Sequence, residues 1–178
     1  MRSKERTIKA LESSGVFPAE TVYFAKPVPQ SNEPTSWELQ RQQRALWVQE
    51  ALDVVKDADI VFVDPNNGVA PRGMSKSKRA ACKYVFPDEI EQFYSTKRSV
   101  VIYQHQQRLE LRQQIQDQLT NLKHLAPAWA VSFHALSSRI YYVLAAVTHE
   151  NAPRTRCMMG HGASQASAGI IEYRELSL

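Results

Sequence analysis

Glycine, cysteine and long apolar runs are scarce in this chain, and each scarcity removes a class of protein. Six glycines in 178 residues exclude collagen-like repeats and Gly-rich linkers. Two cysteines, Cys82 and Cys157, build neither a disulfide framework nor a four-ligand zinc site, which points to a reducing compartment, the cytoplasm. No window approaches the ~18 consecutive apolar residues of a membrane span, so no membrane partner is expected. Met1-Arg2-Ser3-Lys4-Glu5-Arg6 enters mixed polar sequence without the apolar core of a signal peptide. Charge of one sign is in only small excess: 22 Lys and Arg against 18 Asp and Glu leave +4, far from a histone-like density. What is there, 43% hydrophobic and 22% charged residues, suits a single domain over residues 1–178. Such a chain can bury about two-thirds of its unfolded surface.

Thr7 to Glu12 reads as a short helix closed by Ser13-Ser14-Gly15, with Gly15 suited to the position after a helix end. Glu20 to Ala25, rich in β-branched and aromatic residues and stopped by Pro27 and Pro29, predicts a strand. Thr35 or Ser36 can cap a helix running to Lys56, with Leu39, Leu46, Ala51, Leu52 and Val55 as its apolar stripe. Asp59 to Asp64 predicts a strand buried on both faces, because an apolar run ends abruptly at Asp-Pro-Asn-Asn-Gly. Val69 to Lys83 holds five basic residues and no acidic one, and reads as an exposed, mobile loop. Pro87-Asp88-Glu89-Ile90 opens a helix. Arg98 to Gln104 is the next buried strand, and Leu109 to Leu122 a helix with Leu111, Ile115, Leu119 and Leu122 on one face. The seven glutamines between Gln104 and Gln118 read as polar filler on a solvated face. Ala128 to His134 and Arg139 to Val147 predict an antiparallel hairpin, and Gly169 to Tyr173 a last strand. Trp37, Trp47 and Trp129 read as core or helix-packing residues.

Strand and helix alternate, so the expected architecture is α/β with a mainly parallel sheet. In such sheets ligands sit outside the carboxyl ends of the strands. That rule gathers Asp64, Asn66 and Asn67, then Gln104 and His105, then His134, Ser137, Ser138 and Arg139 along one edge, with the basic loop above it. Pro65 ends its strand and holds Asp64 at the tip. A carboxylate and carboxamides there can bind an amine or hydroxyl or supply oxygen ligands to Mg²⁺, and His105 can act as an acid or base near neutral pH. Arg72, Lys76, Lys78, Arg79 and Lys83 suit sequence-independent contact with phosphates, so nucleic acid is a candidate partner. His124, His149 and His161 show no ligand spacing, and no metal is expected.

An apolar strand ending in Asp64-Pro65, followed by helix, strand, helix and hairpin, resembles the second half of a class I S-adenosylmethionine-dependent methyltransferase. The amino-methyltransferase branch of that family carries Asp/Asn-Pro-Pro-Tyr/Phe at this point; Asp64 and Pro65 match, whereas Asn66 and Asn67 replace the second proline and the stacking aromatic. Residues 58–108 also resemble an uncharacterised prokaryotic family with an Asp-Pro-Asp-Asn-Gly loop, Lys-Tyr-Val before Asp-Glu-Ile, and Val-Val-x-Tyr-Gln-His. Here these are residues 64–68, Lys83-Tyr84-Val85 with Asp88-Glu89-Ile90, and Val100 to His105.

The resemblance implies a Rossmann-like sheet with an antiparallel hairpin near the C-terminus, and S-adenosylmethionine as cofactor. The glycine-containing turn that such a cofactor needs follows no early strand in this chain, so the expectation is a domain lacking its first βαβ unit, incomplete at the N-terminus. The resulting reading is a methyltransferase-related domain whose carboxyl-edge pocket, built on Asp64, Asn66, Asn67 and His105, takes a nucleotide-like or polar group without binding the cofactor strongly. The alternatives are a non-catalytic module holding nucleic acid or protein through the 72–83 loop, and a metal-dependent nuclease or phosphoesterase using Asp64 with Asp88 or Glu89.

Overall fold

Two units divide the chain, Met1–Asp57 and Ala58–Leu178. The computed structural model describes residues 8–29, 36–94, 98–122, 124–125, 128–134, 138–146 and 172–175.

In the first unit, helix α1 (Ile8–Glu12) is followed by a turn over residues 13–15, in which Gly15, three residues past the helix end and not at the position directly after it, takes the left-handed φ of +64°. Helix α2 (Trp37–Val54) is capped by Ser36, whose hydroxyl accepts the Leu39 amide. The predicted strand at residues 20–25 does not form. Residues 21–29 are irregular, and Phe24 stacks edge-on against Trp47 at 5.3 Å while the Trp47 indole donates to the Lys26 carbonyl. Pro27 and Pro29 remove the amides a ladder would need, so the segment is tied to the helix by side chains. The apolar stripe of α2 also differs from expectation. Leu39 and Leu46 are exposed, and the buried positions are Arg44, Val48 and Ala51. Trp37 is exposed too, with the Arg41 guanidinium over its ring.

The second unit is mixed α/β. Its five strands are β1 (Ile60–Val63), β2 (Ser99–His105), β3 (Ala128–His134), β4 (Ser138–Leu144) and β5 (Glu172–Glu175), in the order β1-β2-β4-β3-β5. Helix α3 (Pro87–Phe93) links β1 to β2, and helix α4 (Leu111–Leu122) links β2 to β3. Pro87 stands in the first turn of α3, and the Glu89 carboxylate accepts the Phe86 amide. The hairpin forms with Ser138 opposite His134. The last strand begins where Glu172 is described and pairs with β3; Gly169 to Ile171 lie outside the described residues.

The expected mainly parallel sheet is corrected. Only β1 and β2 pair in parallel; β2–β4, β3–β4 and β3–β5 are antiparallel. A short connection can only return antiparallel, and β4 returns between β2 and β3, separating two strands that run the same way. The ends of β1, β2 and β3 still share one edge of the sheet, since Arg139 pairs with His105 and Ser138 with His134.

The two faces of this sheet are unlike. On one, Val61, Val100, Ile102, Gln104, Ala130, Ile140, Tyr142 and Leu144 are buried, together with Ile115, Leu119 and Leu122 of α4. On the other, Ile60 and Phe62 are 65% and 51% exposed, and Val101, Tyr103, Tyr141 and Val143 half-buried. The expectation that residues 59–64 are covered on both faces is therefore wrong: the side chains alternate, and one set faces outward.

Three of the seven glutamines are not filler, whereas Gln113 and Gln116 are exposed as expected. Gln104, Gln114 and Gln118 are buried, and each satisfies backbone that leaves the sheet. Gln104 accepts the Val69 amide at 2.9 Å and donates to the Asn67 carbonyl at 3.1 Å. Gln114 donates to the His105 carbonyl and accepts the Gln107 amide; Gln118 donates to the Val69 carbonyl. A buried loop must have its peptide groups paired, and these side chains supply the partners.

Candidate functional site at the carboxyl edge

Asp64 follows β1 on the outward side of the alternation, and Pro65 ends the ladder behind it. The turn after it is held rigidly. Gly68 has φ +84°, and a Cβ there would lie 2.1 Å from Gln104 Oε1, so only glycine admits the clamp. Val69 bridges Val85 in parallel, and the Asn67 amide donates to the Lys83 carbonyl. The tip carrying Asp64 is thus anchored to β2 and to the 83–85 segment.

Next to it, β2 presents Tyr103 and His105 on the same outward face. The Tyr103 hydroxyl lies 2.9 Å from His105 Nδ1, and Arg139 stands opposite His105 across the β2–β4 ladder. Burial raises the Tyr103 phenol above its usual range; the Arg139 guanidinium opposes the shift, and Tyr141 and the Asp64 carboxylate add to it. Tyr103 therefore lies within the fields of Arg139, Tyr141 and Asp64. Partial burial also raises the Asp64 carboxyl. An acid, a His–Tyr pair and a cation meeting at a strand edge can donate to, accept from and orient a polar ligand, and His105 can pass a proton to or from Tyr103.

The other expected site residues fall differently. Asn66 is exposed on the turn, and Asn67 serves the loop with its backbone. Gln104 points to the covered face as a clamp. Ser138 lies at the shared edge, His134's side chain and Ser137 lie outside the described residues, and so do His149 and His161.

The basic segment is not simply a loop. It contains a 3₁₀ helix (Arg79–Lys83) and a small core of Ala70, Ala81 and Phe86, against which Met74 and Tyr84 pack. Lys76 turns inward: its ammonium pairs with Asp88 at 2.5 Å and Glu89 at 3.0 Å and sits over the Phe86 ring. Arg72, Lys78, Arg79 and Lys83 are exposed. Asp88 and Glu89 are thereby engaged with Lys76, which removes them as ready partners of Asp64. Among the described residues no three of His, Cys, Asp and Glu gather as metal ligands, and no helix is long and apolar enough to cross a membrane.

Sequence reasoning missed Tyr103 and Tyr141. The signal was present in the alternation of β2, where Tyr103 and His105 are two residues apart and must share a face. It also missed the clamps, although Gln114 and Gln118 stand four apart beside the apolar Ile115 and Leu119. No protein-family model matches the chain, and comparison with curated proteins finds no match.

Proposed function

We propose that the Ala58–Leu178 unit is the substrate-side half of a methyltransferase-like, Rossmann-like fold, and that its carboxyl edge recognises a nucleotide-like or similarly polar group. The convergence of Asp64, Tyr103, His105 and Arg139 at the end of the parallel pair carries this reading. The topology supports it as well: helix α3 joins two parallel strands, and the closing hairpin inserts β4 antiparallel beside β2, as the second half of a class I methyltransferase does. In this reading Arg139 orients an anionic or carbonyl group, Asp64 accepts from an amine or hydroxyl, and the Tyr103–His105 pair holds or moves one proton.

S-adenosylmethionine is the cofactor that the resemblance implies, and the described residues do not fit it. Gly68, the positive-φ glycine nearest a buried strand, has its open side filled by Gln104, leaving no space for a ligand against the backbone.

Titration of the 178-residue chain with adenosine 5′-monophosphate, followed by amide and side-chain NMR, tests the reading. Shifts should concentrate at Asp64, Tyr103, His105 and Arg139, and Arg139→Ala should weaken binding about tenfold. Calorimetry with S-adenosylmethionine should show no tight binding. A ligand that leaves those four resonances unmoved removes the proposal.

A second reading, a nucleic-acid module using the 72–83 segment, is favoured by the exposure of Arg72, Lys78, Arg79 and Lys83. Lys76 is not part of it, because its ammonium is already paired.

A further inference from the structure

The outward face of the sheet carries a continuous strip of rings. Phe62 of β1 meets Tyr141 of β4 at 6.4 Å between centroids, Tyr141 meets Tyr103 of β2 edge-on at 5.7 Å, and Tyr103 meets His105 at 5.8 Å. A strand of the core would hide Phe62; here half of its surface and most of Ile60's face water.

We propose that this face is a stacking platform for the bases of single-stranded nucleic acid, continuing the carboxyl-edge site across β1, β2 and β4. The proposal rests on the reading that the edge takes a nucleotide-like group. Three observations select this occupant. The strip is a run of four rings beside Ile60, Val101 and Val143, and every base offers a π-face that such rings accept without regard to sequence. It is continuous with the edge site through Tyr103 and His105, which belong to both. Its charge is suited to a phosphate backbone, since Arg139 stands exposed in the ladder beside the rings. A second copy of this chain is a poorer occupant, since face-to-face packing would have to desolvate Asp64, His105 and Arg139.

The test uses a fluorescein-labelled single strand of mixed sequence, about 12 nucleotides long, which lies within the span of known sheet-based sites. Binding to the 178-residue chain is read by anisotropy across a salt series. Phe62→Ala and Tyr141→Ala should each weaken binding by about tenfold with an unchanged salt slope, whereas Arg139→Ala should lower the slope of log K against log salt by about 0.7. The duplex of the same sequence should bind more weakly than the single strand. Phe62→Leu separates stacking from apolar packing: it keeps a large hydrophobic side chain and should still lose the affinity. The proposal is overturned if Phe62→Ala or Phe62→Leu binds like the parent, if duplex and single strand bind alike, or if sedimentation shows a dimer that Phe62→Ala dissolves. The mononucleotide titration is run on Phe62→Ala in parallel. Retained shifts at Asp64 and His105 beside unchanged oligonucleotide binding refute the platform alone, while shifts absent from the parent chain refute the reading beneath it.

Discussion

The two faces of one sheet put polar side chains to opposite uses. On the covered face Gln104, Gln114 and Gln118 spend their hydrogen-bonding capacity on main-chain groups of the loops at the carboxyl edge. On the open face Asp64, Tyr103, His105 and Arg139 stand at one edge at the margin of solvent, where Tyr103 and His105 meet. A buried amide left without a partner costs roughly 1–3 kcal/mol, so the first set is fixed by folding. The second set has no such duty, and its gathering at one edge is what a ligand would require. Burial thus separates the polar residues that make the fold from those available to chemistry.

The sharpest way to break this comparison is at the clamp. Gly68→Ala forces a Cβ into Gln104 and an L residue into positive φ, and should cost about 3–4 kcal/mol in urea unfolding. Combining it with Gln104→Ala should cost less than the sum of the two single changes, because the same contact is removed twice. Additive costs would mean that the side chain and the loop are not coupled. The next effect compares the faces directly. Ile102→Ala, in the covered layer, should lose about 3 kcal/mol, and Phe62→Ala on the open face less than about 1 kcal/mol, by the same denaturation measurement. Equal losses would show that the open face is covered in solution. The smallest effect belongs to Asp64. Burial raises its folded-state pKa, so the stability it contributes is greatest below the unfolded value and is lost as pH rises through the folded one. Asp64→Asn should therefore raise Tm near pH 7, by no more than about 2 °C because the carboxylate is largely exposed and screened, and the gain should vanish near pH 3.

Much of the architecture was legible because local signals agreed with it. Ser36 before α2, Pro87 opening α3, the apolar run before Asp64 and the hairpin at residues 128–144 each follow from spacing or from a residue's own geometry. What escaped depends on partners distant in the chain. Whether residues 20–25 become a strand depends on a neighbour with a free edge, and Trp47 offered an indole instead. Lys76 looks like its four basic neighbours until Asp88 and Glu89 fold back onto it. Gln104 looks like filler until a loop of unpaired amides is laid against it. The placement of Asp64 and His105 at the carboxyl edge was legible from the edge rule, whereas that of Tyr103 needed the parity of its strand and that of Asn66 and Asn67 the path of the turn.

The grip of Gln104 on Val69 has a mechanical consequence for the edge. A surface turn normally flickers open on its own, at little free-energy cost. This one is bolted through a neighbouring strand's side chain, so releasing it means prising that strand's interior loose. Asp64 is therefore held pre-set at the tip of β1, and in the proposed function adaptation falls to the ligand or to the side chains of Tyr103, His105 and Arg139.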